Sequence, residues 1–280
     1  MQTIFDLNVY QPLDGVYHMQ DATGVCATLI VGAERALLVD TCTGYADLKA
    51  AVGALTSKPC VVCNTHAHLD HIGGNYQFDR VYLNQKDFAV GRLYLSDLDI
   101  RPAALEHFAQ MGLAPDQTRT EQYLSYRMEN VEALNMEEEI DLGGVHVRPV
   151  PMGSHSPGMT GFYVRERKLL LGGDSVCLLA CLNFPEASSV KQHLQMLKDI
   201  SAIDFSFLLS SHSKELLTRE DVEAMLECAQ SYDEAKTSHY ADPFYPQFGG
   251  RMYLHESQKG RHAIVVAKRS IETHAEDHKA

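Results

Sequence analysis

The sequence predicts an α/β protein in which β-sheets are stacked and helices lie outside them. Three observations carry this expectation. Residues 15–40 hold closely spaced β-rich apolar runs separated by turn residues, as in a meander. Beyond them, short apolar runs alternate with amphipathic stretches in the order β, α, β, which suits sheets covered by helices. Several of the apolar runs also end abruptly in His or Asp, as strands do when they deliver side chains to a site. The length of 280 residues allows one large domain, taken here as 1–280.

Taken in order, the runs 15–19, 25–31 and 35–39 read as strands, with a turn at 32–34. A short helix follows over 47–55, then strands over 60–64 and 81–83. Residues 85–137 differ in character. Phe88, Leu93 and Leu95, then Ala104, Leu105, Phe108 and Met111, then Tyr123, Tyr126, Met128, Val131, Leu134 and Met136 recur at helical spacing. Pro102 and Asp116 mark helix starts and Gly112 a stop, so the segment reads as a helical insertion between two strands. It is either a set of packing helices or a cap whose Tyr123 and Tyr126 line a substrate pocket. Hairpins are expected over 139–150 and 161–171, a helix over 190–200, a strand over 205–209 and a helix over 219–231. The chain closes with an aromatic, Pro/Gly-rich stretch, a hairpin at about 251–268, and a polar end expected to fray.

Composition excludes several classes. Thirty-seven Asp and Glu against 24 Lys and Arg leave a net charge of −13, and no basic run appears, which argues against a nucleic-acid partner. No run is long enough to cross a membrane, and the N-terminus lacks a basic region followed by an apolar core, so a cytoplasmic protein without a membrane partner is expected. The seven cysteines are scattered and odd in number, against a disulfide framework. Cys60 and Cys63 spell C-x-x-C, but on a strand they face opposite sides and read as buried apolar residues.

Function is concentrated in Thr65-His66-Ala67-His68-Leu69-Asp70-His71. Three histidines and an aspartate occur in six residues directly after a short apolar run. In an extended loop His66 and His68 point the same way and can share one ion, while Asp70 and His71 lie beyond them and can face a second. Imidazole and carboxylate suit Zn²⁺, Fe or Mn²⁺.

His-x-His-x-Asp-His followed by Gly73-Gly74 resembles the signature of the metallo-β-lactamase fold hydrolases. Later elements match in the same order: Asp40 after the apolar run 36–39, His155 in Gly-Ser-His-Ser-Pro-Gly, Asp174 in Leu-Gly-Gly-Asp-Ser, and His212 in Leu-Ser-Ser-His-Ser. The resemblance spans roughly residues 15–215 and implies a four-layer αβ/βα sandwich of two stacked mixed sheets with outer helices. It implies two divalent metal ions, zinc foremost and Fe or Mn as alternatives. His66, His68 and His155 would hold the first, Asp70, His71 and His212 the second, and Asp174 would bridge them. Asp70 would also orient the attacking water and take its proton, and Asp40 would support the ligands from behind. The zinc β-lactamases lack the bridging aspartate and the flavodiiron branch replaces the second histidine by Glu; His68, His71 and Asp174 therefore point to the glyoxalase II-like and lactonase-like group. The activity implied is hydrolysis of a small ester, thioester or lactone by metal-activated water. The alternatives are a mononuclear-iron oxidoreductase like the persulfide dioxygenases and a non-catalytic metal-binding protein. Cys177 stands where lactonases tend to carry Tyr. Arg251, Lys259 and Arg261 lie in a hairpin where surface charge is the default reading, the alternative being a resemblance to the glutathione-holding basic residues of the glyoxalase II branch; Tyr245 is a further pocket candidate, or simply packs. The partner expected is a small molecule; oligomeric state is open, with a homodimer compatible.

Overall fold

The computed structural model describes residues 2–96, 99–113, 115–241, 252–257 and 261–267. Eight strands form the first sheet in sequence order: Gln2–Ile4, Leu7–Leu13, Val16–Gln20, Cys26–Val31, Ala36–Val39, Cys60–Cys63, Val81–Leu83 and Val131–Ala133. The first five are antiparallel; from Ala36–Val39 onward neighbours run parallel. The second sheet has six strands, Ile140–Asp141, His146–Pro151, Thr160–Val164, Leu169–Gly173, Phe207–Ser210 and Leu217–Thr218, with Leu169–Gly173 and Phe207–Ser210 parallel.

Side-chain alternation along single strands explains the layering. Leu37 and Val39 of one strand turn to the core between the sheets, where Phe162, Val164, Leu169 and Leu171 of the second sheet meet them. Ala36 and Leu38 turn the other way, against Leu48, Ala51 and Val52 of the helix Leu48–Leu55. Leu170 does the same on the second sheet, packing with Leu197 and Ile200 of the helix Val190–Ser201 and with Val222 and Met225 of Arg219–Gln230. The result is the expected order of helix, sheet, sheet, helix. Local sequence sets the helix starts. Asp47 accepts the Ala50 amide at 3.0 Å, and Ser189 with Gln192 forms a reciprocal cap.

Three features differ from the sequence expectation. The chain opens with an additional hairpin, Gln2–Ile4 with Leu7–Leu13, turned by Phe5 and Asp6 at positive φ. The insertion is three helices, Phe88–Leu95, Arg101–Gln110 and Gln117–Ser125. It ends before residue 137: the last helix stops at Ser125, where Tyr126 takes an extended ψ of 135°, Met128 follows at φ +68°, and Val131–Ala133 then joins the first sheet beside Val81–Leu83. The C-terminal hairpin, Met252–Glu256 with Ala263–Ala267, belongs to a third sheet completed by Ser238–Tyr240 and by Leu179–Leu182, which pairs parallel with Ala263–Ala267. No described helix is long and apolar enough to cross a membrane.

Candidate metal centre

The strands put the ligand-type residues at one end of the sandwich. Val39 pairs with Cys63 in parallel register, so Asp40 and Thr65 emerge side by side, and the Thr65 amide donates to Asp40 Oδ1 at 2.7 Å. In the second sheet Gly173 pairs with Ser210, which brings Asp174 next to the segment carrying His212. His155 follows the strand His146–Pro151. Gly73 and Gly74 allow the His71 loop to pack on the Asp40 loop: a Cβ at either would stand 2.3 Å from the Thr43 or Thr41 carbonyl oxygen.

The seven residues converge. Ligand atoms of His66, His68 and His155 lie within 4.8 Å of one another, as do those of His66, His71 and Asp174, and those of Asp70, His71 and His212. The sets overlap at His66 and His71, so the cluster is continuous and Asp174 stands between its two ends. Asp174 Oδ2 is 3.0 Å from His212 Nε2, 3.5 Å from His71 Nε2 and 3.7 Å from His155 Nε2.

Outer partners decide which ring nitrogens face inward. His155 Nδ1 lies 2.7 Å from the Cys181 carbonyl, which can only accept, so that nitrogen carries the proton and Nε2 is bare in the neutral ring. His68 Nε2 lies 2.7 Å from the Glu186 carboxylate and donates to it, leaving Nδ1 bare. These two inward nitrogens are 2.8 Å apart, a spacing at which either a proton or a shared cation must stand between them. Asp40 acts on two rings. It accepts from His71 Nδ1 at 3.0 Å, and it accepts the Thr65 hydroxyl at 2.8 Å, whose oxygen then receives His66 Nδ1 at 3.0 Å. His66 Nε2, His71 Nε2 and Asp174 Oδ1 are thereby left buried without a hydrogen-bond partner. Buried polar atoms are rarely orphaned, and three aimed into one cluster of His and Asp fit a divalent-metal site with supported imidazoles.

Electrostatics point the same way. Burial, reinforced by the neighbouring imidazoles, holds His66 well below the ordinary histidine range, and burial beside His68 brings His155 down to about 4. Both rings are neutral at pH 7, as ligands must be. Burial opposes charge on Asp70 and Asp174, but His71 and His212 outweigh it and hold both carboxyls below their usual range. Burial likewise opposes protonation of His71, yet Asp70, Asp174 and Asp40 raise it. His212 is raised chiefly by Asp174 against its own burial. An excess of negative charge therefore surrounds these two rings, which a cation can replace protons in balancing.

In front of the cluster lies a cavity of about 310 Å³, onto which His68, Asp70, His155, Asp174 and His212 open. Cys177 lines it as well. Tyr123 and Tyr126 do not. Arg101, completely buried, donates to both their backbone carbonyls at 2.6 and 3.0 Å; the Tyr126 ring packs with Ala67, Leu69 and Ile72 and its hydroxyl bonds Asn130 at 2.8 Å, while the Tyr123 ring meets Tyr76 at 6.0 Å. Tyr94 and Ile100 of the insertion reach the cavity instead. Tyr245, Arg251 and Lys259 lie outside the described residues; Arg261 pairs with Glu215 at 2.5 Å.

Sequence reasoning missed Glu186, Phe184 and Asp87. The Phe184 ring stands 4.6 Å from that of His68. Asp87 is buried and joins two ligand loops, accepting the Ala67 amide at 3.1 Å, the Ser156 hydroxyl at 2.6 Å and the Gly158 amide at 2.5 Å. None of the three belongs to a spaced motif; only the fold brings them to the ligands.

The profile of the metallo-beta-lactamase superfamily matches residues 21–223. Acyl-coenzyme A thioesterase MBLAC2 of Bos taurus is 27% identical over 188 residues, and that of Homo sapiens 26%; each alignment covers 58% of this chain and 64% of the relative. The chain thus aligns with somewhat under two thirds of the length of these relatives. Among solved structures, a metallo-beta-lactamase family protein from Thermus thermophilus superposes with a TM-score of 0.56 at 20% identity, covering 81% of this chain and 80% of that one. A metallo-beta-lactamase from Erythrobacter litoralis gives 0.57 at 17% identity, covering 82% and 99%. These likenesses concern the fold. With the profile extending across most of the chain and through every clustered ligand residue, the chain belongs to the metallo-beta-lactamase superfamily.

Proposed function

We propose that the chain is a dinuclear metal-dependent hydrolase that cleaves an ester-type bond in a small molecule, with a thioester as the leading case. The carrying observation is the convergence of seven His and Asp side chains, three of which leave a buried inward atom without a hydrogen-bond partner, beside a cavity of ligand size. The thioesterase name of the two relatives supports the thioester over the other esters.

His66, His68 and His155 would hold one ion and Asp70, His71 and His212 the other, with Asp174 within reach of both sets. Bound there, divalent ions lower the pKa of water from ~15.7 toward ~7 and polarise a carbonyl oxygen. The chain does the rest. Asp70, at the cavity surface, orients the attacking water and accepts its proton. Water adds to the acyl carbon, the carbon–sulfur bond breaks, and the departing thiolate receives a proton. Glu186, Asp40 and the Cys181 carbonyl keep the imidazoles in ligand tautomers throughout, so no reorganisation is needed at the moment of reaction. Tyr94 and Ile100 make the insertion part of the cavity wall, which favours its role as a cap.

Titration of metal-free protein with Zn²⁺ or Mn²⁺ tests this reading. Thioester hydrolysis that rises to a plateau at two ions per chain is expected. A plateau at one ion, or oxygen uptake with a persulfide in the iron-loaded protein, favours the mononuclear oxidoreductase instead.

A further inference from the structure

The cavity is more apolar than the chemistry at its floor requires. Away from the ligands, Leu69, Tyr94, Ile100, Leu178, Leu179 and Phe184 form the apolar part of its wall, with Thr23, Ser210, Ser213 and Tyr240 as its polar members. No Lys or Arg lines it among the described residues. The wall adjoins the first ligand trio: the Phe184 ring stands 4.6 Å from His68 and 5.3 Å from His155, and the Tyr94 ring 5.0 Å from His68. Behind it lies Glu186, whose carboxylate takes both His68 Nε2 at 2.7 Å and the Tyr94 hydroxyl at 3.0 Å. An anion pressed against this wall, away from the floor, would lose its water, meet no Lys or Arg of the described residues and face the Glu186 carboxylate. An alkyl chain would lose only unfavourable hydration.

We propose that this chamber binds the acyl half of the substrate, and that the acyl group it selects is uncharged and apolar, a straight alkanoyl chain of several carbons and not an acetyl or a dicarboxylic group. The proposal rests on the hydrolase reading of the site. A chain laid along Phe184, Tyr94 and Ile100 places its carbonyl carbon at the ligand cluster, beside Asp70. The volume of about 310 Å³, at the low end for ligand clefts, sets a limit on its length.

Two substrate series separate this proposal from the function on which it rests. The first is a set of N-acetylcysteamine thioesters from acetyl to dodecanoyl, together with succinyl and glutaryl thioesters, tested as kcat/KM on metal-replete protein. The second is the matching S-(2-oxoalkyl) thioethers, in which a methylene between sulfur and carbonyl prevents hydrolysis, tested as Kd by calorimetry. Both quantities should improve about fourfold per methylene until the chamber is full, then level or fall. The dicarboxylic members should be poorer than their neutral counterparts by at least tenfold. Leu179→Trp, at a partly exposed wall position, should move the optimum to shorter chains. Chain-dependent Kd without turnover would support the chamber while overturning the thioesterase reading. A Kd indifferent to chain length, a preference for the dicarboxylic members, or an unmoved optimum in Leu179→Trp would overturn the chamber.

Discussion

Asp40 carries more of the site than a turn-forming aspartate would. Its two oxygens accept the Thr65 amide and hydroxyl and His71 Nδ1, so one carboxylate orients a ligand of each proposed ion. Its φ of +65° lies in the left-handed region, which Asp tolerates better than most residues. Asp40→Asn keeps the shape but offers one accepting oxygen in place of two, so either His71 or Thr65 loses its partner. Metal affinity, read by competition with a chromophoric chelator, should fall ~10–100-fold with the circular dichroism unchanged; unaltered affinity would show that the outer partners are dispensable. At this scale the sequence was legible where ligands share a loop. His66, His68, Asp70 and His71 announce themselves by spacing. Glu186 does not, because its partner His68 is 118 positions away, and Asp87 is bonded to a residue 71 positions on. Lone carboxylates acquire meaning only from tertiary neighbours.

Among the elements, the insertion holds itself together through a buried cation. Arg101 donates to the carbonyls of Leu95, Tyr123 and Tyr126 and is neutralised by Asp99 at 2.7 Å, linking the ends of all three helices. Arg101→Ala would strand these acceptors, and the insertion should lose roughly 2–4 kcal/mol of local stability. Hydrogen exchange should accelerate in Gln117–Ser125 while Leu169–Gly173 stays protected; uniform protection would assign the insertion's stability elsewhere. The strands that flank the ligands were readable because they are buried on both faces and so form continuous apolar runs. Val131–Ala133 was not: with only three residues, its apolar positions also fit the helical spacing that precedes it. Leu179–Leu182 escaped notice because its partner strand, Ala263–Ala267, lies more than eighty positions later.

The whole molecule couples stability to pH through buried histidines, both ligands and non-ligands. Burial lowers His18, His193 and, in the metal-free protein, His155 to about 4 against an ordinary value near 6.5. The unfolded chain therefore binds more protons between these values. The stability they contribute is complete above about pH 6.5 and is lost as pH falls toward 4, up to about 3 kcal/mol for each. His71 and His212, raised by their carboxylates, act above pH 6.5 and do not enter this window. Denaturant unfolding of metal-free protein at pH 7 and pH 5 should show the loss, and His18→Asn should reduce it; an equal loss in the variant would place the effect in other groups.

Asp70 joins the proposed second ion to the proton transfer, and its replacement by Asn tests both at once. Asp70→Asn keeps the volume, removes the charge and leaves His66, His68 and His155 in place. Metal content, kcat and thermal unfolding are to be measured on one preparation. A folded protein that retains at least one ion, cannot fill the second site and turns over a thioester ~10²–10⁴-fold more slowly is the predicted result. Near-wild-type turnover with two ions bound, or full activity with one, would contradict the dinuclear hydrolase.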